Sequence, residues 1–322
     1  MPALSVVIPS YNASRYLVQV LQAIVDQSFH PLEVIVVDDG STDSSVDVVE
    51  DFCRRAANVR LLRHERNLGV ASAVHHGLQA AVGDYVYFAS TSDRVLPGLF
   101  EQSMMLLTRH PQAALSCSDF VAFYSGGPQI AYRIGWARDP SFLSPQALAR
   151  AIRQKGGYVP GATAIVKRSV LLEAGGFNVK LKGHSDWFAS LVAGFRHGVC
   201  YAPELLAAFR MGLPGSVSNA HRRWTTQRDV LKHLFSLLQS REYQDVAPLF
   251  QSSAALACLP HILHALLSQS KYWRYLSSGL ISHALRNELR RTLVSVTPLQ
   301  VKDRLLRLRR LFRIEEPTVT VD

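Results

Sequence analysis

Leu4-Ser-Val-Val-Ile-Pro-Ser-Tyr-Asn12 and Glu33-Val-Ile-Val-Val-Asp-Asp-Gly-Ser41 decide the fold. Each holds a short, mostly apolar and β-branched run that stops abruptly, the first at Pro9 and the second at Asp38-Asp39-Gly40. Runs of this kind suit strands buried on both faces. Between them Leu17, Val20, Leu21, Ile24 and Val25 recur at helical spacing and mark one face of a helix. Strand, helix, strand in this order requires a right-handed crossover and a parallel pair.

The alternation continues outward from that unit. Val46, Val49, Phe52 and Ala56 predict a helix, Val59 to Leu62 a strand, and Val70 to Ala81 a helix. Asp84 to Ala89 reads as a strand and Pro97 to Thr108 as a helix with proline in its first turn. Ala113 to Phe123 reads as a fifth strand. The stretch from Ser125 to Gly161 is irregular and reads as an excursion over the sheet edge. Ala162 to Val166 resumes the strand pattern, and a helix from Ser169 to Ala174 stops at Gly175-Gly176. After about Ser218 the signals are helical and basic. The expected class is α/β, with a mostly parallel sheet flanked by helices and a C-terminal helical extension.

Composition bounds the rest. Of 322 residues 48% are hydrophobic and 19% charged, which allows a large core and excludes wholesale disorder. Lys and Arg number 35 against 25 acids, a net +10 that favours an anionic partner. Cys53, Cys117, Cys200 and Cys258 are far apart, so neither a zinc knuckle nor a disulfide framework is indicated, and buried free thiols are expected. The apolar run Leu4 to Ile8 lacks a basic flank and is not read as a signal peptide. The longest apolar stretch, Val246 to Leu267, is interrupted by Pro248, Pro260, His261 and His264, so no spanning helix is expected. These features suggest a cytoplasmic location.

In an open parallel sheet, ligands bind outside the carboxyl ends of the strands. Those ends carry Pro9-Ser10-Tyr11-Asn12, Asp38-Asp39-Gly40-Ser41, Asn67-Leu68-Gly69 and Ser90-Thr91-Ser92-Asp93. Neither a Gly-x-Gly-x-x-Gly nor a P-loop pattern is present. Two adjacent carboxylates cannot cradle a phosphate; they suit hydrogen-bond donors such as a base N–H or ribose hydroxyls. Tyr11 offers a face for stacking. The competing reading is that Asp-Gly-Ser makes a turn and caps the next helix.

The motifs together resemble family-2 glycosyltransferases of GT-A (Rossmann-like) fold. The resemblance runs through Leu4 to Asn12, Val36-Val-Asp-Asp-Gly-Ser-Thr-Asp43, Asn67-Leu-Gly69 and Gly83-Asp-Tyr-Val-Tyr-Phe88. It continues through Gly161-Ala-Thr-Ala-Ile-Val-Lys-Arg168, Glu173-Ala-Gly-Gly-Phe177, Asp186-Trp187, Tyr201 to Leu206, Phe209-Arg210 and Gly215-Ser-Val-Ser218. It covers about residues 3 to 220. The implied layout is a glycosyltransferase domain over 1–220, with a nucleotide-binding half (1–125) and an acceptor half (126–220). A basic helical extension, 221–322, follows it. The implied reaction is transfer of a sugar, with inversion, from a nucleotide-sugar donor to a hydroxyl of a glycan or lipid-linked acceptor. UDP is the expected carrier.

On this resemblance Tyr11 would stack on the base, and Asp39, with Asp38 beside it, would bind base and ribose. Pro9, Ser10, Asn12, Asn67, Gly69, His75, Ser92 and Asp93 would complete the donor site. Arg66, Arg94 and Arg210 would serve the diphosphate or its lid, with His76 near the same path. Asp186 would be the general base that takes the acceptor proton; its alternative role is a helix N-cap. His184 is read as an acceptor contact or a plain surface histidine. A non-catalytic nucleotide-sugar or glycan-binding module of an envelope polysaccharide assembly is the alternative from another class. A nucleotidyltransferase is disfavoured because no phosphate loop follows the first strand.

The chain departs from the family pattern where the metal would sit. The family's Asp-x-Asp is Ser90-Thr91-Ser92 here, and Asp93 is the carboxylate left for Mg²⁺ or Mn²⁺. One carboxylate with neutral hydroxyls makes a poor site for either ion. The expectation is a metal-independent or weakly metal-dependent enzyme in which cationic side chains meet the leaving diphosphate.

From Arg286 to Arg313 nine Arg or Lys stand against Glu288 and Asp303. Val301, Leu305, Leu308 and Phe312 make an apolar stripe beside the arginines. The segment reads either as a helix lying on the inner face of an anionic membrane or as one packed on the protein or a second subunit. Nucleic acid is not expected as a partner, because aromatic residues do not interleave the charges.

Overall fold

The computed structural model describes residues 2–124, 129–211 and 224–296. In chain order its elements begin β1 (Leu4–Ser10), α1 (Ser14–Val25), β2 (Glu33–Asp38), α2 (Ser45–Arg55), β3 (Val59–Arg63), α3 (Val70–Ala80) and β4 (Tyr85–Phe88). They continue with β5 (Arg94–Val95), α4 (Leu99–Arg109), β6 (Leu115–Phe123), β7 (Gln129–Tyr132), β8 (Ser141–Leu143) and α5 (Pro145–Lys155). Next come β9 (Ile165–Lys167), α6 (Arg168–Glu173), α7 (Ser185–His197) and β10 (Val199–Arg210). The last described helices are α8 (Trp224–Leu238), α9 (Ala247–Ser253), α10 (Ile262–Leu267) and α11 (Ser278–Val296).

The strands form one sheet in the order β3-β2-β1-β4-β9-β6-β10-β5, with β7 on β6 and β8 on β10. β1 to β4 are mutually parallel, and β6 runs parallel to β10. β9 lies antiparallel between β4 and β6, so the two parallel groups point the same way. The expected α/β class, largely parallel with flanking helices, is therefore the one observed. The short strands β5, β7, β8 and β9 are antiparallel insertions into it.

Alternate residues of each central strand feed two cores. Val7, Ile35 and Val37 belong to the core that includes residues of α3 and α7, while Val6, Ile8, Val34 and Val36 belong to the one that includes residues of α1, α2 and α4. This two-sided burial is why these strands read as largely apolar runs. Helix α3 lies close to the sheet through Gly77, where an added Cβ would come within 2.3 Å of Val7 Cγ1.

The stretch 125–161 differs from the expected irregular excursion. It holds β7, β8 and the helix α5, which starts at Ser144, whose Oγ accepts from the Ala147 N–H, with Pro145 in its first turn. The helices after residue 223 do not stand apart. Leu231, Leu234, Phe235 and Phe250 share one core with Trp187, Phe188 and Phe195 of α7. All four cysteines are free, but only Cys117 and Cys200 are buried; Cys53 and Cys258 are partly accessible. No helix among the described residues is long and apolar enough to cross a membrane. Most of the basic segment 286–313, and the lid motif 215–218, lie outside the described residues.

Candidate active site

The carboxyl ends of β1, β2, β3, β4, β6 and β10 lie on one edge of the sheet. Because β9 runs antiparallel, its amino-terminal approach, Gly161 to Ala164, lies on that edge too. The Tyr87 hydroxyl of β4 donates to Ala162 O at 2.8 Å and ties the approach down. A Cβ on Gly161 would stand 2.9 Å from Asp186 Oδ2, so the Asp186 carboxylate rests against the bare backbone there. Asp186 therefore occupies the same edge as Tyr11, Asp38 and Asp39.

Ser10 and Asp38 are register partners at the tips of β1 and β2. Ser10 Oγ and Asp38 Oδ1 are both buried without a hydrogen-bond partner. A buried polar atom left unpaired is costly, and such atoms call for an explanation. Asp38 Oδ2 accepts from the Ser41 N–H at 3.1 Å, and Arg63 Nε lies 3.8 Å away. Next in the chain after Ser10, Tyr11 is 48% exposed.

Asp39 is differently placed. It is 3% exposed. Its Oδ1 lies 2.7 Å from His64 Nδ1 and accepts from the Leu68 N–H at 2.9 Å, while Oδ2 accepts from the Gly69 N–H at 2.8 Å. Burial would raise its pKa; the bonds from His64, Leu68 and Gly69 outweigh that and hold it below the usual carboxylate range. Three of about four acceptor positions are thus taken, leaving one on Oδ2. Asn67 Oδ1 also accepts from the Gly69 N–H, which shapes the loop. Asn12 is a brace as well. At a left-handed φ of 47°, it accepts from the Thr42 N–H through Oδ1 at 2.8 Å, and its own N–H donates to Ser41 Oγ at 2.9 Å.

The altered metal motif forms a compact knot. Ser90 Oγ and Ser92 Oγ lie 2.9 Å apart. Asp93 is 6% exposed, and its Oδ1 accepts the Arg210 N–H at 3.0 Å. Burial, partly opposed by bonds from Arg210 and Ser92, pushes the Asp93 pKa up to about 7. Arg210 Nε donates to Ser92 O at 3.1 Å, and its guanidinium lies over the rings of Tyr16 and Phe123 at 5.0 and 4.7 Å. One buried carboxyl with a raised pKa, beside a guanidinium and two mutually bonded hydroxyls, makes a poor site for Mg²⁺ or Mn²⁺. Such ions are usually held by one or two ionised carboxylates together with substrate phosphates. Among the described residues no three His, Cys, Asp or Glu side chains cluster to hold a metal.

Asp186 sits in the first turn of α7. The residue is exposed to solvent, with the Gly161 backbone against its Oδ2. Desolvation raises its pKa, with N–H bonds from Trp187 and from its own backbone opposing the shift. Neighbouring His184 Nε2 lies 3.2 Å from Oε1 of Gln227, a buried side chain of α8. The extension thus supports the segment that carries Asp186.

The remaining sequence-named residues divide. His75 is exposed and faces the turn at Gly176, where an added Cβ would lie 3.4 Å from its Nδ1. Arg66 and Asn67 are exposed, and Arg94 is partly buried with its guanidinium 5.6 Å from the Phe123 ring centre. Sequence reasoning passed over His64. The rule that singled out Asp38 also covers the residue following β3, and applying it there would have found His64.

The family model "Glycosyl transferase family 2" matches residues 5–175, more than half of the chain. Among curated proteins, "Uncharacterized glycosyltransferase YibD" of Escherichia coli K12 is 34% identical over 115 residues, 36% of this chain and 33% of its own. "Putative teichuronic acid biosynthesis glycosyltransferase TuaG" of Bacillus subtilis is 26% identical over 235 residues, 71% of this chain and 88% of its own. The match to YibD spans only about a third of that relative's length. Among solved structures, Staphylococcus aureus TarS residues 1–349 with UDP-GlcNAc superposes with a TM-score of 0.57 at 17% identity, over 90% of this chain and 92% of that one. The mannosyltransferase PcManGT of Pyrobaculum calidifontis, with GDP-Man and Mn²⁺, gives 0.54 at 18% identity, over 89% and 87%. These likenesses show the GT-A-like fold. With the family model spanning the strand tips just described, the chain belongs to glycosyl transferase family 2.

Proposed function

We propose that this protein is an inverting glycosyltransferase that moves a sugar from a nucleotide-sugar donor, UDP-linked, to a hydroxyl of a glycan or lipid-linked acceptor. Catalysis would lie in residues 1–220, with 221–322 as the supporting extension. The observation that carries this reading is the buried, unpartnered pair Ser10 Oγ and Asp38 Oδ1 beside exposed Tyr11, on the same edge as Asp186. A nucleoside with its base on Tyr11 would supply the missing donor and acceptor and use the free position on Asp39. Asp186 would take the proton of the attacking hydroxyl as that oxygen bonds to the anomeric carbon. The anomeric carbon–phosphate bond would break, and the nucleoside diphosphate would leave.

Charge develops on that diphosphate, and the knot at 90–93 offers Arg210 rather than a metal. Arg66 and Arg94 are further cations for the same path, and a guanidinium fork suits phosphate oxygens. Turnover in a donor and acceptor screen is expected to persist in excess chelator and to change less than about threefold on adding Mn²⁺, because the charge is already met by arginine. Activity that vanishes with chelator and returns with Mn²⁺ contradicts the metal-independent reading.

A lipid-linked acceptor would bring the enzyme to a membrane. Ile281, Leu285 and Leu289 make an exposed stripe on α11 beside exposed Arg286, and the chain runs from there into the basic segment. This supports a peripheral contact with anionic lipid. Flotation with anionic vesicles should be retained by the full chain and lost on removal of 286–322. Equal partitioning of both forms would exclude the contact.

A further inference from the structure

Behind Asp39 runs a hydrogen-bonded chain that its proposed role in nucleoside binding does not by itself require. His64 Nδ1 lies 2.7 Å from Asp39 Oδ1, and His64 Nε2 lies 3.0 Å from His76 Nδ1. The two imidazole planes are 5° apart with centroids separated by 5.2 Å. A linear N–H···N bond between coplanar rings has that spacing, so the pair is joined edge to edge rather than face to face. The segments are far apart in sequence: Asp39 follows β2, His64 follows β3, and His76 lies on the sheet-facing side of α3 next to Gly77. His64 is further fixed by its own N–H, which donates to Asp38 O at 2.8 Å.

Proton bookkeeping constrains the chain. Asp39 is held below the usual carboxylate range, so it is an acceptor and His64 Nδ1 must carry a proton. His64 Nε2 then either accepts from His76 Nδ1–H or, with His64 cationic, donates to it. In both states the bond to Asp39 survives. Without it the carboxylate would keep only the Leu68 and Gly69 N–H groups and could turn about its side-chain torsion.

We infer that His64, oriented by His76, is a positioning residue that aims the one free acceptor position of Asp39 at the donor's base. The inference rests on the proposed nucleoside site. It assigns donor selectivity in part to two imidazoles that do not touch the donor. Base recognition depends on direction, because a hydrogen bond weakens steeply once its angle is lost.

The test uses the two amides that imitate each half of an imidazole. Asparagine at 64 places an amide nitrogen near the Nδ1 position and keeps the donor to Asp39. Glutamine places it near Nε2 and keeps the contact to His76 instead. Titration of UDP into the full chain should show His64→Gln and His64→Leu binding about 10-fold or more weakly, the loss of a charge-assisted bond. His64→Asn should recover most of that loss. With a turning-over donor, the effect should fall on KM and much less on kcat. His76→Leu should weaken binding by a smaller factor, and less in the His64→Asn background than in the wild type, since the shared bond is already gone. A purely structural His64 predicts instead that Asn and Gln behave alike and that binding follows thermal stability. That outcome overturns the inference, as does unchanged UDP affinity in all the variants. A wild-type chain that binds neither UDP nor GDP overturns the nucleoside site itself, and the inference with it.

Discussion

Asp186→Asn is expected to lower kcat by about 10³-fold or more, the range for losing a general base in a position no other group can fill. Asparagine has the same shape and still accepts the Trp187 N–H through its carbonyl, so α7 should start unchanged. It cannot accept the proton of the acceptor hydroxyl. Affinity for the nucleoside diphosphate should stay within about twofold, because binding and chemistry fall on different residues. The pH profile carries a second signature. The base must be ionised, so activity falls as pH drops through its pKa. Since desolvation raises that pKa, the acid limb should lie above the ordinary carboxylate range. Residual activity in Asp186→Asn at the wild-type level would return the residue to its alternative role as a helix cap. Unchanged donor binding with no turnover in the wild type would favour the non-catalytic module.

Gly40→Ala is expected to damage both fold and donor binding. Gly40 has φ +74°, in the left-handed region. An added Cβ would lie 2.6 Å from the Arg66 carbonyl carbon and 2.8 Å from Arg66 Cα and Asn67 N. These are backbone atoms and cannot swing aside. The left-handed conformation alone costs alanine about 1–2 kcal/mol, and the contact must push the 66–69 loop away from the Asp39 turn. That loop supplies the Leu68 and Gly69 N–H groups that hold Asp39. A loss of about 3 kcal/mol in unfolding free energy is expected in total. UDP affinity should fall by at least about 10-fold under conditions where the variant remains folded. Denaturant titration and calorimetry read the two effects separately. Wild-type stability together with wild-type affinity would show that the close approach of Gly40 to Arg66 does not organise the site.

The sequence made some parts of this molecule legible and hid others for physical reasons. β1, β2 and β4 are buried on both faces, so each is written as a largely apolar run, whereas the equally buried β6 carries Ser116, Ser118 and Asp119. Helix α8 is equally legible: Leu231, Leu234, Phe235 and Leu238 recur at helical spacing in the sequence, and all four are buried. β9 overlaps the strand pattern read at Ala162 to Val166, whereas β5, two residues long, is too short to show a period. α5 escaped because its buried Leu148, Ala149, Ala151 and Ile152 are diluted by Arg, Gln and Lys, although Ser144-Pro145 marked its start. At the site, the carboxyl-edge rule picks out Tyr11, Asp38 and Asp39 from the sequence alone. It could not reveal that Asp39 is enclosed by His64 and the 68–69 amides. That depends on how the loop folds back and on which face of α3 meets the strand. The contact of Asp186 with Gly161 is likewise tertiary, set by the reversal of β9.

The most direct measurement of the central claim is a crystal structure of the full chain soaked with a UDP-sugar in the absence of divalent metal. The expected result has the uracil stacked on Tyr11, its N–H directed at the Asp38–Asp39 carboxylates, and the anomeric carbon turned toward Asp186 with room for one acceptor hydroxyl between them. A nucleotide bound away from the tips of β1 and β2, or a sugar facing away from Asp186, would contradict it.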